Sequence, residues 1–404
     1  MDGKQYLILN KRNARKYPIL KKDGYANYIN INKKYADLIK IFEIKNKHLF
    51  SGYYDLDNVS PDGNRMFAIS VSKNSVPGIN KATINIIDLN DYTINPITST
   101  RAWNWQQGSR IRWIDDSHIM FNDFIGDKYK SVVFDINLKK TEKEFDFALY
   151  DAKLDKNIGL SLNFDLLQLL RPGYGYSNQN YVSQTDIPEN DGIYLIDLKT
   201  NSNKLIISFN KLVDGLIFEK GKKHYINHIS ISPDGDKFMF FHLWTKDSLD
   251  MWEMRLIVSD MNGNFKVIEN KEIISHYTWF NNDKLLVTAV KNGNAKCYYL
   301  YDLNTLNRIL IDNDNLVQDG HPTFIDDCHF VTDTYPLENS IQHLFVYDMK
   351  NKTRFNLIDA FSDPRMYIEK RCDMHPRLHN KKLINIDSTF SEGVRKIVLL
   401  KIKQ

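Results

Sequence analysis

Four histidines in the second half of the chain recur in one sequence register. Imidazole is the side chain that binds transition metals and moves protons near neutral pH. The histidines open the segments His228-Ile-Ser-Ile-Ser-Pro-Asp-Gly, His276-Tyr-Thr-Trp-Phe-Asn-Asn-Asp, His321-Pro-Thr-Phe-Ile-Asp-Asp and His375-Pro-Arg-Leu-His-Asn-Lys. Each sits four residues ahead of the same strand position, and the segments recur about every 45 to 55 residues. Residues so far apart in sequence meet only if the chain returns to the same height around one axis. Four converging imidazoles repel one another when protonated, so clustering favours the neutral, metal-competent form. His228, His276, His321 and His375 are therefore candidate ligands for a divalent cation. A nitrogen-rich site suits Zn, Mn, Fe or Ni without choosing among them. The plainer alternative is that each imidazole caps a turn or bonds a neighbouring strand.

Other groups carry related chemistry. His242, in Phe240-Phe-His-Leu-Trp, is either a core histidine or a base held in a poorly hydrated strand. Arg110 occupies the histidine register inside Trp103-Asn-Trp-Gln-Gln-Gly-Ser-Arg-Ile-Arg-Trp. That segment joins rings, amides and a guanidinium, so Trp105, Gln106 and Arg110 are candidate sugar-binding residues; the alternative is a packed aromatic strand. Arg377 and Arg171 suit bidentate pairing with a carboxylate. Tyr174 follows Arg171 in an Arg-Pro-Gly-Tyr-Gly-Tyr-Ser stretch and is grouped with them. Asp333 and Asp387 read equally as turn residues or hydrogen-bond anchors. The chain has no Gly-x-Ser-x-Gly, no P-loop and no dinucleotide-binding glycine run.

The elements that must position these groups are short strands. Apolar or β-branched runs such as Phe238-Met-Phe-Phe and Leu285-Leu-Val-Thr-Ala-Val follow turn residues, and aspartate turns close each unit at Asp88, Asp135, Asp197, Asp260, Asp302 and Asp348. With a final unit ending at Ile397-Val-Leu-Leu, the count is seven. This pattern predicts an all-β fold: a seven-bladed β-propeller of four-stranded antiparallel blades in a single domain, 1–404. The expected blades are about 47–92, 98–143, 147–208, 221–270, 272–313, 316–358 and 364–404. Residues 1–46 hold a strand candidate, Tyr6-Leu-Ile-Leu, and a short helix candidate from Lys34 to Phe42. One of the two is expected to complete the last blade and close the ring. The third blade is long, with the Arg171 stretch inserted ahead of its later strands.

Composition narrows the function classes. Lys and Arg number 54 against 50 Asp and Glu, a net charge of +4, so no nucleic-acid groove is expected. Three cysteines, Cys297, Cys328 and Cys372, show neither disulfide nor metal spacing, which favours a reducing compartment. No stretch approaches the roughly 18 apolar residues of a membrane span, and the N-terminal apolar run is too short for a signal-peptide core. A cytoplasmic protein is expected.

Taken together, His228 with Phe-Phe-His242, Ser-His276-Tyr-Thr-Trp, Gly-His321-Pro and Asp-Met-His375-Pro resemble the oligogalacturonate lyase family, cytoplasmic seven-bladed propellers similar to TolB-type repeats. The likeness covers residues 220–390 best. It implies a manganese-type cation, an acidic oligosaccharide substrate and β-elimination at a uronate. In that frame His242 stands as the base, His375 with His276 or His321 as metal ligands, and Arg171 as the catalytic arginine. Two motifs depart: Leu243-Trp244 stand where the family has Glu-Gly, and Arg377 stands where it has a second histidine, although His379 is close. An arginine there weakens a cation site but suits a substrate carboxylate. The competing expectations are a non-catalytic glycan- or protein-binding propeller, and hydrolysis of a charged sugar in the same pocket.

Overall fold

The computed structural model describes residues 28–403 apart from 183–184, 217–220, 246–251, 292–294, 313, 337–339 and 392. The candidate strand at Tyr6 lies outside the described residues. The chain folds as a seven-bladed β-propeller of antiparallel sheets. Blades 1 to 7 take their strands from residues 47–100, 112–145, 151–208, 224–269, 274–310, 323–361 and 377–402. Two further N-terminal strands act as clasps. Ile29–Ile31 adds a fifth strand to the outer edge of blade 6, and Ala36–Phe42 pairs with Lys396–Ile402 as the fourth strand of blade 7.

The segment expected to be a helix is therefore this closing strand. Its register shifts between Leu38 and Lys40, so the bulge breaks the two-residue alternation. Ala36 and Phe42 stay buried at the strand's two ends, while Tyr35, Leu38, Ile39 and Phe42 fall at the i, i+3, i+4, i+7 spacing that mimics a helical face. Phe42 seals the ring, packing with Leu49 and Met66 of blade 1 and Ile397 and Leu399 of blade 7. The same kind of apolar layer joins blades 1 and 2, through Phe67, Ile84, Trp103, Ile119 and Phe134.

The aspartate turns fold as their residue type dictates. Asp88 Oδ1 accepts from Asn90 N, Asp197 Oδ1 from Lys199 N, and Asp348 Oδ1 from Lys350 N. Blade 3 carries the insertion. Helix Phe164–Leu170, capped by Asn163, leads into the Arg171 stretch before the chain resumes the blade at Gly192–Asp197. No helix among the described residues is long and apolar enough to cross a membrane.

Candidate active site in the central channel

The first strands of the blades supply the channel wall, and the histidine register lands there. Arg110, His228 and His375 share a left-handed backbone, with φ of 53°, 55° and 47°. Non-glycine residues enter that region only where surrounding structure compels them. The rings of His276 and His321 lie 3.9 Å apart, and those of His321 and His375 4.5 Å apart. His228 stands apart from these three, stacked 5.4 Å from the ring of Tyr53. Tyr53 in turn lies 4.8 Å from His375 and 6.0 Å from His321. The four imidazoles are 1 to 7 % exposed, so their polar atoms must find partners inside the protein.

Three of them find those partners on one side only. His276 Nδ1 lies 3.0 Å from Asp319 Oδ1, His321 Nδ1 2.8 Å from Asp333 Oδ1, and His375 Nδ1 3.1 Å from the Gly52 carbonyl. Carboxylates and carbonyls only accept, so each Nδ1 carries a proton, and in the neutral ring Nε2 keeps its lone pair. The Nε2 atoms of His321 and His375 are buried and have no hydrogen-bond partner. Donating Nδ1–H to an acceptor while offering Nε2 is the arrangement of metal-ligating histidines. Asp373 completes the group: one ligand atom from each of His321, Asp373 and His375 falls within 4.8 Å of the others.

Burial governs the charge states. It pushes the pKa of His228 and His375 well below the imidazole range, helped by the neighbouring His276 and His321 respectively. Burial also lowers His276. At His321 burial acts the same way and is the largest single influence, but Asp333, Asp373 and Asp319 together outweigh it and hold the imidazole above its usual value.

A break in blade 1 supplies aromatic groups that the repeat pattern does not announce. Strand Lys47–Phe50 stops, and pairing resumes at Val59 opposite Met66. The loop between them carries Tyr53 and Tyr54 into the channel. Tyr54 donates to the Tyr277 carbonyl at 2.6 Å. Gly52 has φ of 101°, and a Cβ there would sit 3.1 Å from the Gln107 carbonyl, so glycine is required at this turn.

The blade 3 insertion reaches His228. Tyr174 lies 5.5 Å from His228 and 6.2 Å from Tyr53, and its hydroxyl accepts from Arg371 Nη2 at 2.7 Å. Arg371 also pairs with Asp373 at 2.9 Å. The Arg171 guanidinium stacks 4.1 Å over Trp252 and 5.6 Å over Tyr174. Among the described residues it meets no carboxylate. Gly175 holds the insertion against its helix, since a Cβ would come within 2.1 Å of the Phe164 carbonyl.

Several sequence candidates lie elsewhere. Arg110 grips Asp55 in a bidentate pair at 2.9 and 3.0 Å and donates from Nε to Tyr150 O. Arg377 donates to the carbonyls of Tyr53, Gly52 and His375, which spends its fork on the backbone of the blade 1 loop. Trp105 is packed against Trp103, His48 and Phe50, and Gln106 donates to the carbonyls of Glu369 and Arg371. These four build the wall around the site. His379 turns to Asn385 and Asp57. His242 is fully buried in a pair with His224, Nε2 to Nδ1 at 2.9 Å, while Arg255 lies 3.0 Å from its Nδ1. A guanidinium only donates, so the Nδ1 lone pair of His242 is already used.

Asp319, Asp373, Arg371, Tyr53 and Tyr54 were not among the candidates. One signal was present for the two acids: Asp319-Gly-His321 and Asp373-Met-His375 repeat an Asp-x-His spacing in successive blades.

The fold has solved counterparts. An oligogalacturonate lyase from Vibrio parahaemolyticus superposes with a TM-score of 0.62 at 13% identity, covering 91% of this chain and 99% of that one. The two chains share a propeller fold. A puromycin hydrolase matches with a TM-score of 0.52 at 8% identity, over 84% of this chain and 53% of that one. A serine-to-alanine variant of puromycin hydrolase bound to PGG gives a TM-score of 0.53 at 6% identity, over 84% and 50%. No family profile matches the sequence, and no curated protein does. At these identities the likeness establishes architecture alone.

Proposed function

We propose that the channel is the active site of a lyase acting on a uronate-type acidic oligosaccharide by β-elimination. The observation that carries this reading is the pair of buried, unpartnered Nε2 atoms on His321 and His375 beside the Asp373 carboxylate. Two imidazole nitrogens and a carboxylate oxygen suit a divalent cation of the manganese or zinc type. When bound there, such a cation supplies Lewis acidity toward a uronate carboxylate. Arg171, stacked on aromatic faces and free of acids among the described residues, supplies a guanidinium for the same carboxylate.

Elimination also needs a base for the C5 proton. His242 was the sequence candidate, yet using it requires its Nδ1 to give up Arg255 or its Nε2 to give up His224. His228 asks for no such exchange. Its Nδ1 has no partner, burial keeps the ring neutral, and it lies 5.5 Å from Tyr174 of the blade 3 insertion. On this reading His228 takes the proton while His276, held by Asp319, supports the metal group from behind His321.

The test is metal content and turnover together. Elemental analysis of untagged protein should find stoichiometric divalent metal, lost in a His321→Ala/His375→Ala variant. Wild type should convert uronate oligosaccharides to an ultraviolet-absorbing unsaturated product, and the variant should not. Hydrolysis of the same sugars, releasing saturated ends, would replace elimination. The full coverage of the imidazoles favours one second reading, a glycan-binding module. Glycan binding with no product from wild type would select it.

A further inference from the structure

The Tyr53 hydroxyl is buried and has no hydrogen-bond partner, although the backbone of its loop is tied down. In its loop, Ser51 N donates to Asp387, the Gly52 carbonyl meets His375 Nδ1, and the Tyr53 carbonyl accepts from Arg377. Tyr54 hydroxyl is bonded to Tyr277 O, and Asp55 is gripped by Arg110. So much restraint on the backbone leaves the Tyr53 phenol O–H unanswered. The Tyr277 hydroxyl is unpartnered too, but its ring lies 5.9 Å from His228, and Tyr53 is the phenol that also meets His375. An unmet buried hydroxyl destabilises the fold, and a purely structural tyrosine would avoid that by being phenylalanine. The ring is stacked 5.4 Å from His228 on one side and 4.8 Å from His375 on the other. It therefore stands between the proposed base and the group proposed to hold the carboxylate.

We infer that Tyr53 donates the proton to the departing sugar oxygen. This rests on the elimination reading above. In that step His228 removes the C5 proton, the C–H electron pair forms the C4–C5 double bond, and the C4–O4 bond breaks. O4 takes the Tyr53 proton and leaves as a hydroxyl. The protonated His228 beside it then returns a proton to the phenolate, so both side chains are restored and no outside acid is consumed.

The experiment compares wild type with Tyr53→Phe on two substrates: a uronate oligosaccharide, and a uronate bearing a 4-O-nitrophenyl group, whose leaving oxygen needs no proton. The variant should lose about 10²- to 10⁴-fold in kcat on the oligosaccharide, the range for general acid catalysis. It should stay within a few-fold of wild type on the aryl substrate, with unchanged metal content and a Tm at or above that of wild type. Full activity on both substrates, or equal loss on both, would overturn the assignment while leaving elimination in place. Wild type inactive on both would remove the elimination reading itself, and the role of Tyr53 with it.

Discussion

Arg171 and His228 are the two side chains whose chemistry is least spent by the fold. Arg171 stacks on Trp252 and Tyr174 without an acid among the described residues, so Arg171→Gln should chiefly remove carboxylate binding. A charge-assisted bond contributes about 1.5 to 3 kcal/mol, which predicts a 10- to 100-fold rise in KM from steady-state kinetics, with the fold intact. An unchanged KM would place the carboxylate elsewhere. The two histidine readings separate in the same way. His228→Gln should lower kcat by about 10²-fold or more. His242→Gln should act mainly on Tm, because it disturbs a buried pair with His224 and Arg255. Loss of turnover in the His242 variant with His228→Gln active would restore His242 as the base.

At the scale of elements, two irregularities do the positioning. The break in the first strand of blade 1 delivers Tyr53 and Tyr54, and it turns at Gly52 in a left-handed conformation. Gly52→Ala should cost about 1 to 3 kcal/mol in denaturant unfolding, since alanine adds strain and a close approach to Gln107. The other is the bulged closing strand. Phe42 is 2 % exposed between blades 7 and 1, and Phe42→Ala should cost about 3 to 5 kcal/mol. If that variant melts like wild type, the N-terminal clasp is not what closes the ring. These same two places were the least legible in the sequence. A bulge shifts alternation by one residue and imitates helical spacing at 36–42, while a broken strand at 51–58 leaves no period to read. Regular strands and aspartate turns were legible because their geometry is local.

Across the whole molecule, buried histidines set the response to acid. Burial lowers His48 to about 4, aided by Arg395, and lowers His224 to about 4, aided by Arg255. Between pH 6.5 and 4 the unfolded chain binds the protons that these sites refuse, so stability falls as pH falls through that window. Each site accounts for roughly 1 to 3 kcal/mol; His321, raised by the acids around it, changes stability above pH 6.5 and leaves this window unaltered. Thermal melts should show Tm dropping from pH 7 to pH 4.5, and His48→Gln should flatten part of the drop. A flat profile in wild type would mean that these rings take up protons without penalty.

The sequence by itself determined the propeller, its seven units, and the recurrence of four histidines in one register, because each follows from short-range alternation, turn chemistry and period. Tertiary structure alone decided which polar groups are spent. Arg110 and Arg377 look as available as Arg171 in the sequence, yet one grips Asp55 and the other the Gly52–Tyr53 backbone. Likewise Asp373 joins His321 and His375 only because adjacent blades bring them within ligand distance. Hydrogen-bond satisfaction is a property of neighbours, and neighbours as far as 325 residues apart are chosen by packing.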